Sequence, residues 1–163
     1  MKPTPILKIE DILRILEQEK VKYAVIGGLA VVLYGYVRFT RDIDLVINFS
    51  KDNVKRFLKA MTILKFKPGP PVEPMDLADK QKRTAWINEK NAKVITFYNP
   101  EQQLLQIDIL LTTELAQIKT VKRKIDDLEI SVIDYEDLIE MKRQSGRSFD
   151  LIDIEKLEEL KKM

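Results

Sequence analysis

The run Asp42-Ile43-Asp44-Leu45-Val46-Ile47 puts two acids at alternate positions in an otherwise apolar segment. A strand turns successive side chains to opposite faces, so the pattern predicts a strand with Asp42 and Asp44 on one face and Ile43 and Leu45 on the other. The apolar face can be buried. The acidic face brings two carboxylates side by side, and such neighbours repel unless a cation stands between them. Hard oxygen donors suit Mg²⁺ (or Mn²⁺), which takes one or two carboxylates and completes its shell with substrate phosphate. Upstream, the apolar run Tyr23 to Ile26 ends in Gly27-Gly28. Glycines let a backbone approach a phosphate closely, and a strand-to-helix corner exposes the free N–H groups of a helix start. A phosphate cradle beside metal-binding carboxylates is the expectation.

Composition narrows the chemistry. The chain of 163 residues has room for one domain with a real core, expected to span 1–163. It has no cysteine and no histidine. Disulfides, thiolate sites and thiol nucleophiles are excluded, together with the commonest general base and the usual zinc ligand. Catalysis has to run on carboxylates, Lys, Arg, Tyr, Ser or Thr. The net charge of +2 gives no strong field toward nucleic acid or membrane. No apolar run reaches membrane-spanning length and the start lacks a signal-like core, so a cytoplasmic protein without membrane contact is expected.

Along the chain, Ile9, Ile12, Leu13 and Leu16 have helical spacing within residues 6–20, a helix opened after Pro5. Strands are expected at 22–27 and 40–48, with a buried helix over 29–36 between them. Ser50 caps the next helix, whose basic outer face reads as solvated. Residues 67–74 contain four prolines and a glycine, which predicts a loop without regular structure. Residues 76–90 read as one helix, in which Trp86 serves packing rather than base stacking. Strands follow at 93–98 and 104–111, separated by an Asn99-Pro100 turn. The basic run 119–124 reads as a solvated strand or turn rather than a nucleic-acid contact. A strand at 128–133 precedes a helix capped by Asp134 and stopped by Gly146, and Ser148 caps a final helix.

Asp108 lies in the second of these hairpin strands among apolar neighbours, where an unpaired carboxylate is costly. If that strand lies beside the one holding Asp42 and Asp44, three carboxylates converge at one edge of a sheet. Such a trio can hold divalent ions that orient a triphosphate and activate an attacking hydroxyl. Asp108 is then either a general base or a ligand of the activating ion. Arg38 and Arg41 flank the first two acids, to clamp phosphate or to neutralise the pair.

Gly27-Gly28, thirteen intervening residues and Asp42-Ile43-Asp44 resemble the signature of the DNA polymerase β-like nucleotidyltransferase superfamily. The string Arg38 to Leu45 is closer to one branch, the small AbiEii-type nucleotidyltransferases. Residues 68–90, the strand around Asp108, and Lys142 followed by Arg147, Asp150 and Asp153 resemble further family regions, so the likeness covers about residues 20–160. The resemblance implies an α/β (α+β) nucleotidyltransferase fold, a mixed twisted sheet with helices packed on it and the site at the sheet edge. It implies Asp42, Asp44 and Asp108 as metal carboxylates, Gly27 and Gly28 as the phosphate turn, and Lys142 as a triphosphate contact. Lys142 reaches a phosphate or covers a helix surface, while Arg147, Asp150 and Asp153 read as structural. Gly28 stands where many superfamily members have Ser, which leaves phosphate binding at that position to the backbone N–H.

The expected activity is transfer of a nucleoside monophosphate from a nucleoside triphosphate to a hydroxyl on RNA or protein, in the toxin–antitoxin setting common to this branch. Larger members carry a helical acceptor domain, so a partner chain is one expected source of the acceptor site. The competing reading is a nucleotide- or partner-binding module that keeps the fold without turnover.

Overall fold

The computed structural model describes residues 7–69 and 72–163. Helix α1 (Ile9–Gln18) buries Ile12, Leu13 and Leu16, the residues whose spacing marks its inner face. Strand β1 (Tyr23–Ile26) runs directly into helix α2 (Gly27–Leu33), and β2 (Asp42–Ile47) leads to helix α3 (Lys51–Leu64). Ser50 caps α3 by accepting a hydrogen bond from the Asn53 N–H, and Lys65 closes it in a left-handed conformation. Then come β3 (Lys67–Gly69), a 3₁₀ turn at Pro74–Ala78 and helix α4 (Lys80–Lys90). Strands β4 (Val94–Asn99) and β5 (Gln102–Leu110) form a hairpin, as do β6 (Thr120–Ile125) and β7 (Leu128–Ile133). Helices α5 (Tyr135–Ser145) and α6 (Ser148–Lys161) complete the order.

All seven strands form one mixed sheet in the order β3-β4-β5-β2-β1-β7-β6. β2 is antiparallel to β1 and parallel to β5, and β1 is parallel to β7. Ile43 pairs in register with Ile107, and Ile107 with Phe97, so these three share one face. Phe97 meets Phe57 of α3 edge to face, with ring centroids 5.2 Å apart, and α3 packs on α1. This is the main apolar layer, and Ile43, Leu45, Ile107, Ile109 and Phe97 are fully buried in it. The opposite face carries the acids. α2 packs on β1 and β2 there, with α5 against α2 and α6 against α5.

The structure corrects four expectations. Lys67–Gly69 is an edge strand rather than loop; Pro68 lacks an N–H, and a proline is tolerated where one side of a strand faces no neighbour. Residues 76–90 are not one helix, because Asp79 adopts an extended backbone and caps α4 by accepting from the N–H groups of Gln81 and Lys82. The glycine pair is not a turn ahead of α2 but its first two residues. Ser148 is the first residue of α6 rather than its cap; the cap is Arg147, whose N–H donates to Asp150 Oδ2. The basic run forms edge strand β6, and Trp86 is 8% exposed. Pro5, expected to open the first helix, lies outside the described residues, as do Pro70 and Pro71.

Candidate active site

Parallel pairing of β2 with β5 sets Asp44 directly beside Asp108 in register, and Asp42 beside Gln106. Register partners point to the same face, so Asp42, Asp44 and Asp108 lie on one surface of adjacent strands. Antiparallel pairing continues the row: Thr96 of β4 stands beside Asp108, and Gly69 of β3 beside Thr96. On the other flank Asp44 pairs with Ile26, the residue before Gly27. One row across five strands thus holds Asp44 and Asp108 and ends at the start of α2, with Asp42 two residues away on the same face of β2.

The start of α2 is shaped around the acids. Gly27 has φ +64°, and a Cβ there would fall onto Asp44 Oδ2. Backbone and carboxylate therefore come closer than any side chain allows. A Cβ on Gly28 would lie 2.8 Å from Arg38 Nη2 and 3.1 Å from Thr40 Oγ1. The first N–H groups of a helix have no partner within it, so this corner offers donors next to the carboxylates.

The acids are electrostatically strained. Burial, then Asp108, then Asp42 push the Asp44 carboxyl up to about 6, against the opposing pull of Lys142 and Arg147. Burial also raises Asp108, helped by Asp42 and opposed by hydrogen bonds with Thr96 and Asp44. The pair behaves as two carboxyls that do not both ionise freely. Thr96 Oγ1 donates to Asp108 Oδ1 at 2.6 Å. Asp42 Oδ1 is buried without a hydrogen-bond partner, an oxygen lone pair that lacks a cation or donor.

Behind the acids lies a buried charge cluster. Lys142 Nζ is 3.2 Å from Asp150 Oδ1 and 3.0 Å from Asp153 Oδ2, and both aspartates are essentially inaccessible. Arg38 Nη2 reaches Asp153 Oδ2 at 3.0 Å, and the Arg38 guanidinium lies over the Phe149 ring. Arg147 grips Asp150 through Nε at 2.8 Å and Nη2 at 3.3 Å. Burial opposes the Asp150 charge, but hydrogen bonds from Arg147, Ser145 and Lys142 outweigh it and hold its carboxyl well below the usual range.

The structure therefore brings Gly27, Gly28, Asp42, Asp44 and Asp108 together. Lys142 is near enough to favour the ionised form of Asp44, yet its ammonium is committed to Asp150 and Asp153. Arg41 is exposed and makes no hydrogen bond or ion pair among the described residues. Sequence reasoning missed Thr96 at the site; a Thr in a strand is ordinary, and only the hairpin register singles it out.

Among the described residues, no group of three or more His, Cys, Asp or Glu is gathered so as to hold a metal ion by itself. The trio is instead an open set of hard oxygen donors, with one buried carboxylate oxygen unpartnered and two carboxyls pressed together. That fits a divalent ion whose shell is completed by phosphate oxygens and water, the mode Mg²⁺ prefers. Among the described residues no helix is long and apolar enough to cross a membrane.

The fold is shared with solved nucleotidyltransferases. The chain is similar to the lincosamide antibiotic adenylyltransferase LnuA in its lincomycin-bound crystal structure, with TM-score 0.63 and 18% identity over 96% of this chain and 99% of that one. It is also similar to an antigenic nucleotidyltransferase-like protein from Paracoccidioides brasiliensis, with TM-score 0.55 and 16% identity over 94% of this chain and 78% of that one. No curated protein matches the sequence. Residues 7–162 match the family described as nucleotidyltransferase of unknown function (DUF6036), and the chain belongs to that nucleotidyltransferase family.

Proposed function

We propose that this nucleotidyltransferase moves a nucleoside monophosphate from a nucleoside triphosphate to a hydroxyl acceptor, with release of pyrophosphate, at the edge formed by Asp42, Asp44 and Asp108. The observation that carries the reading is the registered pairing of Asp44 with Asp108 beside a glycine corner whose missing Cβ lets backbone meet carboxylate. Asp42, Asp44 and Asp108 would hold Mg²⁺ or Mn²⁺, which when bound neutralises phosphate charge and lowers the pKa of a coordinated hydroxyl. Gly27 and Gly28 present backbone N–H groups to the triphosphate. Arg41, exposed and uncommitted, is available to the phosphates from the adjoining loop. Asp108, held by Thr96, is the carboxylate suited to receive the acceptor proton. Lys142 acts from behind: its charge favours ionised Asp44, and its bonds to Asp150 and Asp153 fix the packing of α5 against α6.

The AbiEii-type resemblance extends the reading to an RNA or protein acceptor and a toxin–antitoxin setting, with a partner chain as a source of acceptor contacts. The lincomycin-bound neighbour, a lincosamide antibiotic adenylyltransferase, supports a small-molecule antibiotic as a further acceptor class to assay. A second reading, binding without turnover, is favoured by the commitment of Lys142 to two buried aspartates, which keeps it from a phosphate.

The test is incubation with labelled ATP, CTP, GTP and UTP plus Mg²⁺ against RNA, protein and small-molecule acceptors, beside Asp42→Asn/Asp44→Asn. Label transfer by the wild type that disappears in the double variant supports the enzyme. Metal-dependent nucleotide binding with no transfer to any acceptor supports the module, and absence of both contradicts the site.

A further inference from the structure

The geometry points to Thr96 as a positioning residue for Asp108, holding that carboxylate in the orientation in which it joins Asp42 and Asp44 in binding a divalent ion. This rests on the reading of the trio as the metal site. Thr96 is the register partner of Asp108 across the β4–β5 hairpin, and its Oγ1 donates to Asp108 Oδ1 at 2.6 Å. That is at the short end for hydroxyl donors to oxygen, as charge-assisted bonds are. A threonine hydroxyl has a single hydrogen to give, and here it goes to the acid rather than to a backbone carbonyl. β-Branching makes the Thr96 side chain stiff at χ1, so the donor itself does not wander.

The surroundings make this contact decisive for Asp108. On the near flank stands Asp44, an acid whose charge repels that of Asp108 whenever both are ionised. On the far flank the next residue in the row is Gly69, which has no side chain to compete for the hydroxyl or to support the carboxylate. Thr96 donates to one Asp108 oxygen whatever the charge on Asp44, and so anchors the carboxylate when both acids are ionised. One carboxylate oxygen is thus tied toward β4, so the group meets an ion with its rotamer already fixed. Partners behind a metal-binding carboxylate contribute to affinity by such orientation.

The test uses the full chain and Mn²⁺ alone as the probe. Loss of the free Mn²⁺ signal in electron paramagnetic resonance gives the affinity of wild type, Thr96→Val and Thr96→Ser, with far-UV circular dichroism and melting curves run on each. Thr96→Val keeps shape and β-propensity without the donor; it is expected to fold normally and to bind Mn²⁺ on the order of 10-fold more weakly. Thr96→Ser restores the hydroxyl and is expected to recover most of the affinity. Wild-type affinity in Thr96→Val, or a loss that Thr96→Ser does not repair in a folded protein, overturns the role of Thr96 and leaves the metal site standing. No saturable Mn²⁺ binding in the wild type, with or without a non-hydrolysable nucleoside triphosphate, overturns the metal site and this role together.

Discussion

Arg38 Nη2 lies 3.0 Å from Asp153 Oδ2, a contact between residues 115 positions apart that fastens the segment ahead of Asp42 to α6. The same Asp153 oxygen is ion-paired with Lys142 Nζ at 3.0 Å. The carboxylate is fully buried and serves two cations, so its removal leaves Arg38 without its counter-ion and Lys142 with Asp150 alone. Asp153→Ala is expected to cost about 3–5 kcal/mol in denaturant unfolding. A loss below 1 kcal/mol, of the size typical for exposed ion pairs, would show that the cluster does not hold α6 in place.

Asp44 makes the opposite prediction. Its carboxyl, at about 6 rather than 3.8, favours the protonated form in the folded chain. A raised acid stabilises the fold fully below its unfolded pKa and loses that contribution as pH rises through its folded value. Stability should therefore fall from about pH 4 to about pH 6 on this account. The shift sets an upper limit of about 3 kcal/mol, and solvent screening of the partly exposed group reduces the expected gain to about 1–2 kcal/mol. Asp44→Asn, which is always neutral, should stabilise the metal-free protein by that amount at pH 7 and flatten the pH profile. Activity should disappear in the same variant, a trade typical of groups kept for chemistry rather than for folding.

Gly27 tests how tightly α2 is fitted to the acids. Gly27→Ala places a methyl onto Asp44 Oδ2 and a non-glycine residue at φ +64°. Left-handed backbone alone costs about 1–2 kcal/mol, and displacing Asp44 adds to it. In an Asp44→Ala background the overlap with the carboxylate is removed, while a tight 3.0 Å contact with the remaining Cβ and the backbone cost persist, so the two substitutions should be partly non-additive in a double-mutant cycle. Strict additivity would mean that the glycine serves the turn and not the close approach.

Much of this was legible in the sequence because the informative residues act locally. Alternating Asp42, Ile43, Asp44 and Leu45 gave both faces of β2, and Asp134 and Gly146 bracket α5 as their chemistry dictates. Arg147 and Asp150 sit three apart, within reach of each other on a helix start. The long-range contacts were not legible. Arg38 meets Asp153 only because α6, packed on α5, brings Asp153 to the segment between α2 and β2, and no local pattern encodes that. Thr96 was hidden by a register shift at Tyr98/Asn99: counting outward from the Asn99–Gln102 pair does not lead to the Thr96–Asp108 pairing. Lys142 looks from its helix like a solvent-facing cation; its burial depends on two acids arriving from α6.

The central claim is that Asp42, Asp44 and Asp108 together hold a divalent ion beside Gly27 and Gly28. A crystal soaked with Mn²⁺ and a non-hydrolysable nucleoside triphosphate, with data collected for manganese anomalous scattering, tests it most directly. The account predicts an anomalous peak at about 2.1 Å from carboxylate oxygens of at least two of the three acids, with triphosphate oxygens completing the shell over the α2 start. Triphosphate bound elsewhere, or a saturated crystal with no manganese at these carboxylates, would contradict it.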